Sequence, residues 1–205
     1  MSNAGGMSTI ARYADMLAGN AVFVDTAYES IATTTLSTAT ASITFSSISA
    51  TYQHLQIRVF AQTNRATFGG DGVQLQLGTT SADTGSNYAY HDLSGNGASA
   101  AGQGQTTQTK IILGANAGVI GSTAGGVFGG IVIDILDYAN TNKYKTVRSL
   151  GGMDDNAVSA GFGTAIDVTS GLWMSASATG TIKLMPLNGS NFNQYSSFAL
   201  YGIRG

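Results

Sequence analysis

The stretch HLQIRVFA at residues 54–61 constrains this chain more than any other. Leu55, Ile57 and Val59 fall on one side of an extended backbone and Gln56, Arg58 and Phe60 on the other, the period of two that marks a half-buried strand. Val73, Leu75 and Leu77 alternate with Gln74 and Gln76 in the same way, and Ile43 and Phe45 flank Thr44. Further runs rich in β-branched and aromatic residues occupy 28–36, 39–45, 88–93, 109–113, 127–136, 144–150, 172–176, 181–187 and 197–203. Gly, Asn, Asp or Ser punctuates most connections, as at Gly69-Gly70-Asp71-Gly72 and at Asn188-Gly189. Many short strands with almost no helical pattern predict an all-β fold. Within that class we expect a single jelly-roll-like β-sandwich of about eight to ten strands over residues 28–205.

Residues 1–27 read differently. Ser8 is placed to cap a short helix over 9–18, with Ile10, Tyr13, Met16 and Leu17 on one face and Gly19 to end it. A helix of about three turns is marginal by itself, so that face needs a surface to dock on: this chain's own domain, a second copy or a larger assembly. We expect 1–27 to be an attachment or oligomerisation arm. Two further stretches, 94–108 (SGNGASAAGQGQTTQ) and the Gly/Ala-rich 114–126, read as connections, the first as a long exposed loop.

Composition narrows the function classes. Charged residues are 10% of the chain, against about 25% in an ordinary domain. Ser, Thr, Asn, Gln and Gly must therefore solvate the surface, and copies of such a protein repel one another little. The net charge of −2 and the lack of any basic run argue against nucleic-acid binding. The chain has no cysteine, hence neither a disulfide framework nor thiolate chemistry. Its N-terminus lacks the basic-then-apolar order of a secretory signal. The most apolar stretch, 127–136, contains two glycines and Asp134 and is too short to span a bilayer.

Catalytic patterns are weak. Asp83-Thr84-Gly85 matches the aspartic-protease triplet, but no apolar strand leads into it and the chain holds no second copy. An Asx-type turn is the better reading. No Gly-x-Ser-x-Gly elbow or phosphate-cradling glycine pattern occurs. His91 and Asp92 are adjacent, so a strand points them to opposite faces. Asp154-Asp155-Asn156 reads as a solvated turn rather than a calcium loop, and His54 as structural. Asp134 lies in an apolar run and needs a partner, for which Arg148 is the candidate. With Glu29 the sole glutamate, a glycosidase carboxylate pair is a poor fit. No catalytic, cofactor or metal site is expected. Among the aromatics Tyr88, Tyr90, Tyr138, Tyr144 and Trp173, the pair Tyr88 and Tyr90 is the candidate contact for a glycan or a protein partner.

Several stretches resemble a widespread group of tailed-bacteriophage virion structural proteins, the decoration and head- or tail-fibre-like modules of environmental and marine phages. They are YESIATTT (28–35), ITFSSI (43–48), ATYQHLQIR (50–58), TNRA (63–66), DTGSNY (83–88), HDLSGNG (91–97), IDILDYANT (133–141), KYKTVR (143–148), GLWM (171–174) and QYSSFALYGIRG (194–205). The resemblance covers 28–205. It implies a β-rich, non-enzymatic module displayed on the virion and joined to it by a variable N-terminal segment. The corresponding expectation is a capsid-decoration or cement-type protein, homotrimeric, that contacts other virion proteins such as the major capsid or tail proteins. A receptor- or glycan-binding module of a tail fibre is the alternative.

Overall fold

The computed structural model describes residues 18, 27–66, 70–114, 119–120, 126–154 and 164–204. The expected helix over 9–18, Ala18 apart, and its face of Ile10, Tyr13, Met16 and Leu17 lie outside the described residues.

The described chain is all-β, with fourteen strands where about eight to ten were expected. Every pairing is antiparallel. The large sheet runs, edge to edge, β1 (Tyr28–Thr35), β14 (Ser197–Ile203), β3 (His54–Ala61), β10 (Gly129–Leu136), β11 (Lys145–Asp154), β12 (Thr164–Trp173), β6 (Tyr88–Gly95) and β7 (Ala100–Gln108). The small sheet runs β2 (Ile43–Phe45), β13 (Thr181–Pro186), β5 (Val73–Gly78) and β8 (Ile111–Leu113). A two-residue pair, β4 (Gly70–Asp71) with β9 (Val119–Ile120), closes the set.

Both sheets feed one apolar core. Leu55, Ile57 and Val59 of β3, Ile131, Ile133 and Ile135 of β10, and Phe198 and Leu200 of β14 come from the large sheet. Ile43, Phe45, Leu75, Leu77, Ile111, Ile182 and Leu184 come from the small one. The alternation read at 54–61, 73–77 and 43–45 is thus the alternation of core and outer face. In β5 the other face is buried as well, because the Gln74 and Gln76 amides donate to the carbonyls of Leu187 (3.1 Å) and Thr109 (3.0 Å).

Three expectations are corrected. The stretch 94–108 is not a loop: β6 continues to Gly95, Asn96 Oδ1 caps a tight turn by accepting from the amides of Ala98 and Ser99, and β7 pairs with β6 over 100–108. Its side chains are exposed on both faces, so no hydrophobic period announced it. Of the run at 172–176, only Leu172 and Trp173 are strand, the end of one that begins at Thr164; residues 174–176 lie beyond it. Tyr88 and Tyr90 are buried, at 0% and 4% exposure, and are not a contact surface; Tyr138 and Trp173 are buried too, and Tyr144 is exposed.

The phenols explain why they are inside. Tyr88 Oη donates to the Leu77 carbonyl (2.8 Å), with the Asp83 carbonyl at 2.9 Å, and accepts from the Leu77 amide (3.1 Å). Tyr138 Oη contacts the Ser49 carbonyl and accepts from the Tyr52 amide (3.3 Å). Burial pushes both phenols above the ordinary tyrosine range. A raised folded-state pKa favours the neutral form, so its contribution is whole below the unfolded value of about 10 and is lost as pH rises beyond it. An alkaline absorbance titration is therefore expected to leave Tyr88 and Tyr138 un-ionised until the fold opens. Tyr88→Phe should flatten the loss of stability above that pH; equal slopes would refute the assignment.

One glycine is fixed by close approach. A Cβ at Gly202 in β14 would stand 2.3 Å from the Tyr52 ring, which Arg204 covers from 5.7 Å. Gly202→Ala is expected to cost about 1–3 kcal/mol in denaturant unfolding, the usual range for overpacking.

Candidate interaction surface

Strand parity decides what the far half of the large sheet shows to solvent. Side chains alternate faces with a period of two. Trp173, packed near Tyr88 (ring centroids 6.5 Å apart), holds one end of β12 against the core. That commits Gly171, Thr169, Asp167 and Ala165 to the inner face and Val168 and Ile166 to the outer one. Burying Tyr88 and Tyr90 likewise sends Asp92 and Ser94 inward and Leu93 outward, and burying Val147 sends Ser149 inward and Leu150 outward. Where β11, β12 and β6 outrun the apolar core, the usual polarity is inverted.

The outer face is therefore apolar. Val132, Leu150, Val168 and Leu93 stand side by side in one cross-strand row over β10, β11, β12 and β6. They are 39%, 56%, 50% and 60% exposed. The adjoining row contains Phe60, Gly130, Gly152, Ile166 and Gly95. Ile166 is 63% exposed, and Phe60 stacks on Phe128 at 5.1 Å. The three glycines leave a flat floor between the large side chains. A polar row borders the patch on its other side: Gln56 Nε2 donates to Asp134 Oδ1 (2.9 Å), and Arg148 Nη2 reaches Asp134 Oδ2 (3.4 Å). Asp134 thus has the partner expected for it, plus Gln56. Arg58 donates to Gln56 Oε1 (3.3 Å) and lies 5.5 Å from the Tyr201 ring.

The other sequence candidates do not assemble into a site. Asp83 uses both carboxylate oxygens: Oδ1 accepts from the Gly85 amide (2.8 Å), and Oδ2 from Asn87 Nδ2 (2.9 Å) and Trp173 Nε1 (2.8 Å). Burial acts to raise its pKa, and these hydrogen bonds outweigh it and hold the carboxyl below its ordinary range. It clamps the loop before β6, with the geometry of an Asx turn. His91 is exposed on the outer face of β6, over Gly104, while Asp92 points inward. His54 Nδ1 accepts from the Asp137 amide (2.9 Å). Asp137 contacts Lys143, whose ammonium is the main cause of its lowered pKa. Beside them Tyr52, Gln53, Asp137, Ala139 and Asn140 line an open groove of about 320 Å³. Lys145 is fully buried, donating to the carbonyls of Asn140 (2.6 Å) and Lys143 (2.8 Å), and desolvation lowers its pKa. Asp154 ends β11; Asp155 and Asn156 lie outside the described residues.

No family model and no curated protein matches this chain. Among the described residues, no three His, Cys, Asp or Glu side chains converge as a metal would require. No helix among them is long and apolar enough to cross a membrane. The apolar outer face is what the geometry offers for recognition. Hydrophobic periodicity missed it because the patch arises from apolar residues on what a single strand presents as the wrong side.

Proposed function

We propose that this chain is a non-enzymatic structural protein of a tailed-phage particle. In this reading it is a jelly-roll decoration or head-associated surface protein that assembles as a trimer through the outer face of its large sheet. The strand order supports the jelly-roll reading. Taken as β1, β2, β3, β5, β8, β10, β13 and β14, the strands fall into the sheets β1-β14-β3-β10 and β2-β13-β5-β8. That is the arrangement of an eight-stranded, double-sheet jelly roll, an architecture used in viral capsids among other proteins. Two hairpins then extend the β10 edge: β11–β12, between β10 and β13 in sequence, and β6–β7, between β5 and β8.

The observation that carries the functional reading is where the apolar row lies. Val132 and Phe60 at its margin belong to β10 and β3, but Leu150, Ile166, Val168 and Leu93 stand on the added hairpins, which the eight core strands do not need to close their sheets. Contiguous exposed apolar surface of this kind marks an interaction site. The low charge of the chain fits a second copy as occupant, since like surfaces meet there with little repulsion. Fold alone does not establish a role, and the resemblance of the stretches quoted above supplies the virion context. Residues 1–27 are the proposed attachment arm. The test has two parts: sedimentation velocity on the purified chain, and cryo-electron microscopy of the phage particle that carries it. A trimer in solution with regular density on the head supports the reading. A monomer that does not bind particles lacking it sinks the reading, and density confined to fibre tips transfers it to host recognition.

A further inference from the structure

The parity that pushes apolar side chains outward leaves oxygen atoms inside. Ser149, Thr169 and Asp92 form one cross-strand row on the inner face, and Asp167 opposes Ser94 in the next row. Their exposures are 5%, 1%, 6% and, for Asp167, 0%. Asp167 on the central strand is thus the diagonal neighbour of both Asp92 and Ser149, at spacings of about 7–8 Å. Thr169 Oγ1 donates to Asp167 Oδ1 (3.1 Å) and accepts from the Gly114 amide (3.4 Å). Asp92 Oδ2 accepts from Gln103 Nε2 (2.8 Å). Asp92 Oδ1 and Ser149 Oγ are buried without a hydrogen-bond partner.

Two buried carboxylates on neighbouring strands repel, and a buried oxygen with no donor is costly. Elsewhere this protein satisfies such groups, as the occupied oxygens of Asp83 and Asp134 show. We propose that this cluster is a calcium-class cation site, with Asp92 Oδ1, the Asp167 carboxylate and Ser149 Oγ as protein ligands. The two carboxylates match a divalent charge. All the donors are hard oxygens, with no imidazole or thiolate, which selects against zinc and copper. Calcium accepts six to eight oxygens at about 2.3–2.6 Å in loose geometry, so two side chains approaching along a diagonal and a hydroxyl, completed by water, suit it better than magnesium's strict octahedron. Such an ion would tie β11, β12 and β6 together on the side opposite the apolar face.

The experiment uses the full-length chain stripped with EGTA, titrated with calcium chloride by calorimetry and melted with and without the ion. One calcium per chain and a rise in Tm of about 5 °C or more at millimolar calcium, with a smaller rise in magnesium, are expected. Asp92→Asn and Asp167→Asn should each abolish the calcium-dependent rise. Ser149→Ala should weaken calcium binding roughly tenfold while leaving the EGTA melt near wild type. Because the asparagine variants relieve repulsion, the quantity compared is the calcium-dependent shift within each variant. No heat of binding together with identical melts in calcium and EGTA overturns the proposal. So does a stabilised Asp92→Asn variant in a protein that ignores calcium, since the site is then neutralised by a proton.

Discussion

Replacing Asp71 by alanine is expected to destabilise the fold by about 3–5 kcal/mol, the range for removing one partner from a buried, hydrogen-bonded charged network. The Asp71 side chain is fully buried. Its Oδ1 accepts from the amides of Gly72 (2.9 Å) and Asn188 (3.0 Å) and from Asn188 Nδ2 (2.9 Å). Its Oδ2 accepts from Thr63 Oγ1 (2.9 Å) and the Gly189 amide (2.9 Å). Arg65 Nη1 lies 3.9 Å from Oδ1 and donates to the Gly70 carbonyl (2.9 Å). Alanine would leave these donors facing one another in a site with little room for water, each at a cost of about 1–3 kcal/mol before relaxation. Relaxation is local: the Asn188-Gly189 turn leads from β13 of one sheet towards β14 of the other, and opening it lets its amides find solvent. For a chain of this length the loss corresponds to a fall in Tm of roughly 10 °C. Hydrogen exchange at the Asn188 and Gly189 amides should rise before that of the core strands. Asp71→Asn presents its own donors to existing donors and is also expected to destabilise. An alanine variant within about 1 kcal/mol of wild type would show that the turn holds without the carboxylate.

On the proposed reading of a trimer held by the outer face, the double substitution Leu150→Lys/Val168→Lys dissociates the assembly without unfolding the chain. Both side chains are more than half or about half exposed in the single chain, so their replacement removes little folding energy, on the order of 0.5 kcal/mol per site. At a subunit contact the balance differs. Each substitution deletes apolar area worth about 25 cal/mol per Å² and places an ammonium where association would strip its water. A loss of about 3–4 kcal/mol per interface weakens association by two to three orders of magnitude. In a trimer each copy presents the face to its neighbour about the three-fold axis, so every interface is affected at once. Sedimentation velocity should give the monomer mass with an unchanged circular-dichroism melt. A variant that remains a trimer removes this face from the assembly; one that unfolds as well assigns the two residues to folding.

Legibility in the sequence followed burial. Strands β3 and β14 were readable to the residue, at 54–61 and 197–203, because each has one face in the core and the other outside it. Strand β7 was invisible, since AAGQGQTTQ is exposed on both faces and is held only by backbone pairing to β6. Tyr88 and Tyr90 were misjudged for a different reason. An aromatic beside polar residues looks like a contact surface, and only the Leu77 backbone groups waiting for the Tyr88 hydroxyl show that it points inward. The candidate interaction surface was the least legible part. In β12, Ile166 and Val168 alternate with Asp167 and Thr169, and periodicity taken alone assigns the apolar pair to the core.

The sequence by itself determined that the described chain is all-β, that 54–61, 73–77 and 43–45 turn defined faces to a core, and that its surface carries little charge, because hydrophobic period and composition are local properties. Only the tertiary structure decided which face of β11, β12 and β6 points outward. That choice is made at Val147, Trp173 and Tyr88, where the strands meet the core, and a period of two carries it to the strand ends whatever residues stand there.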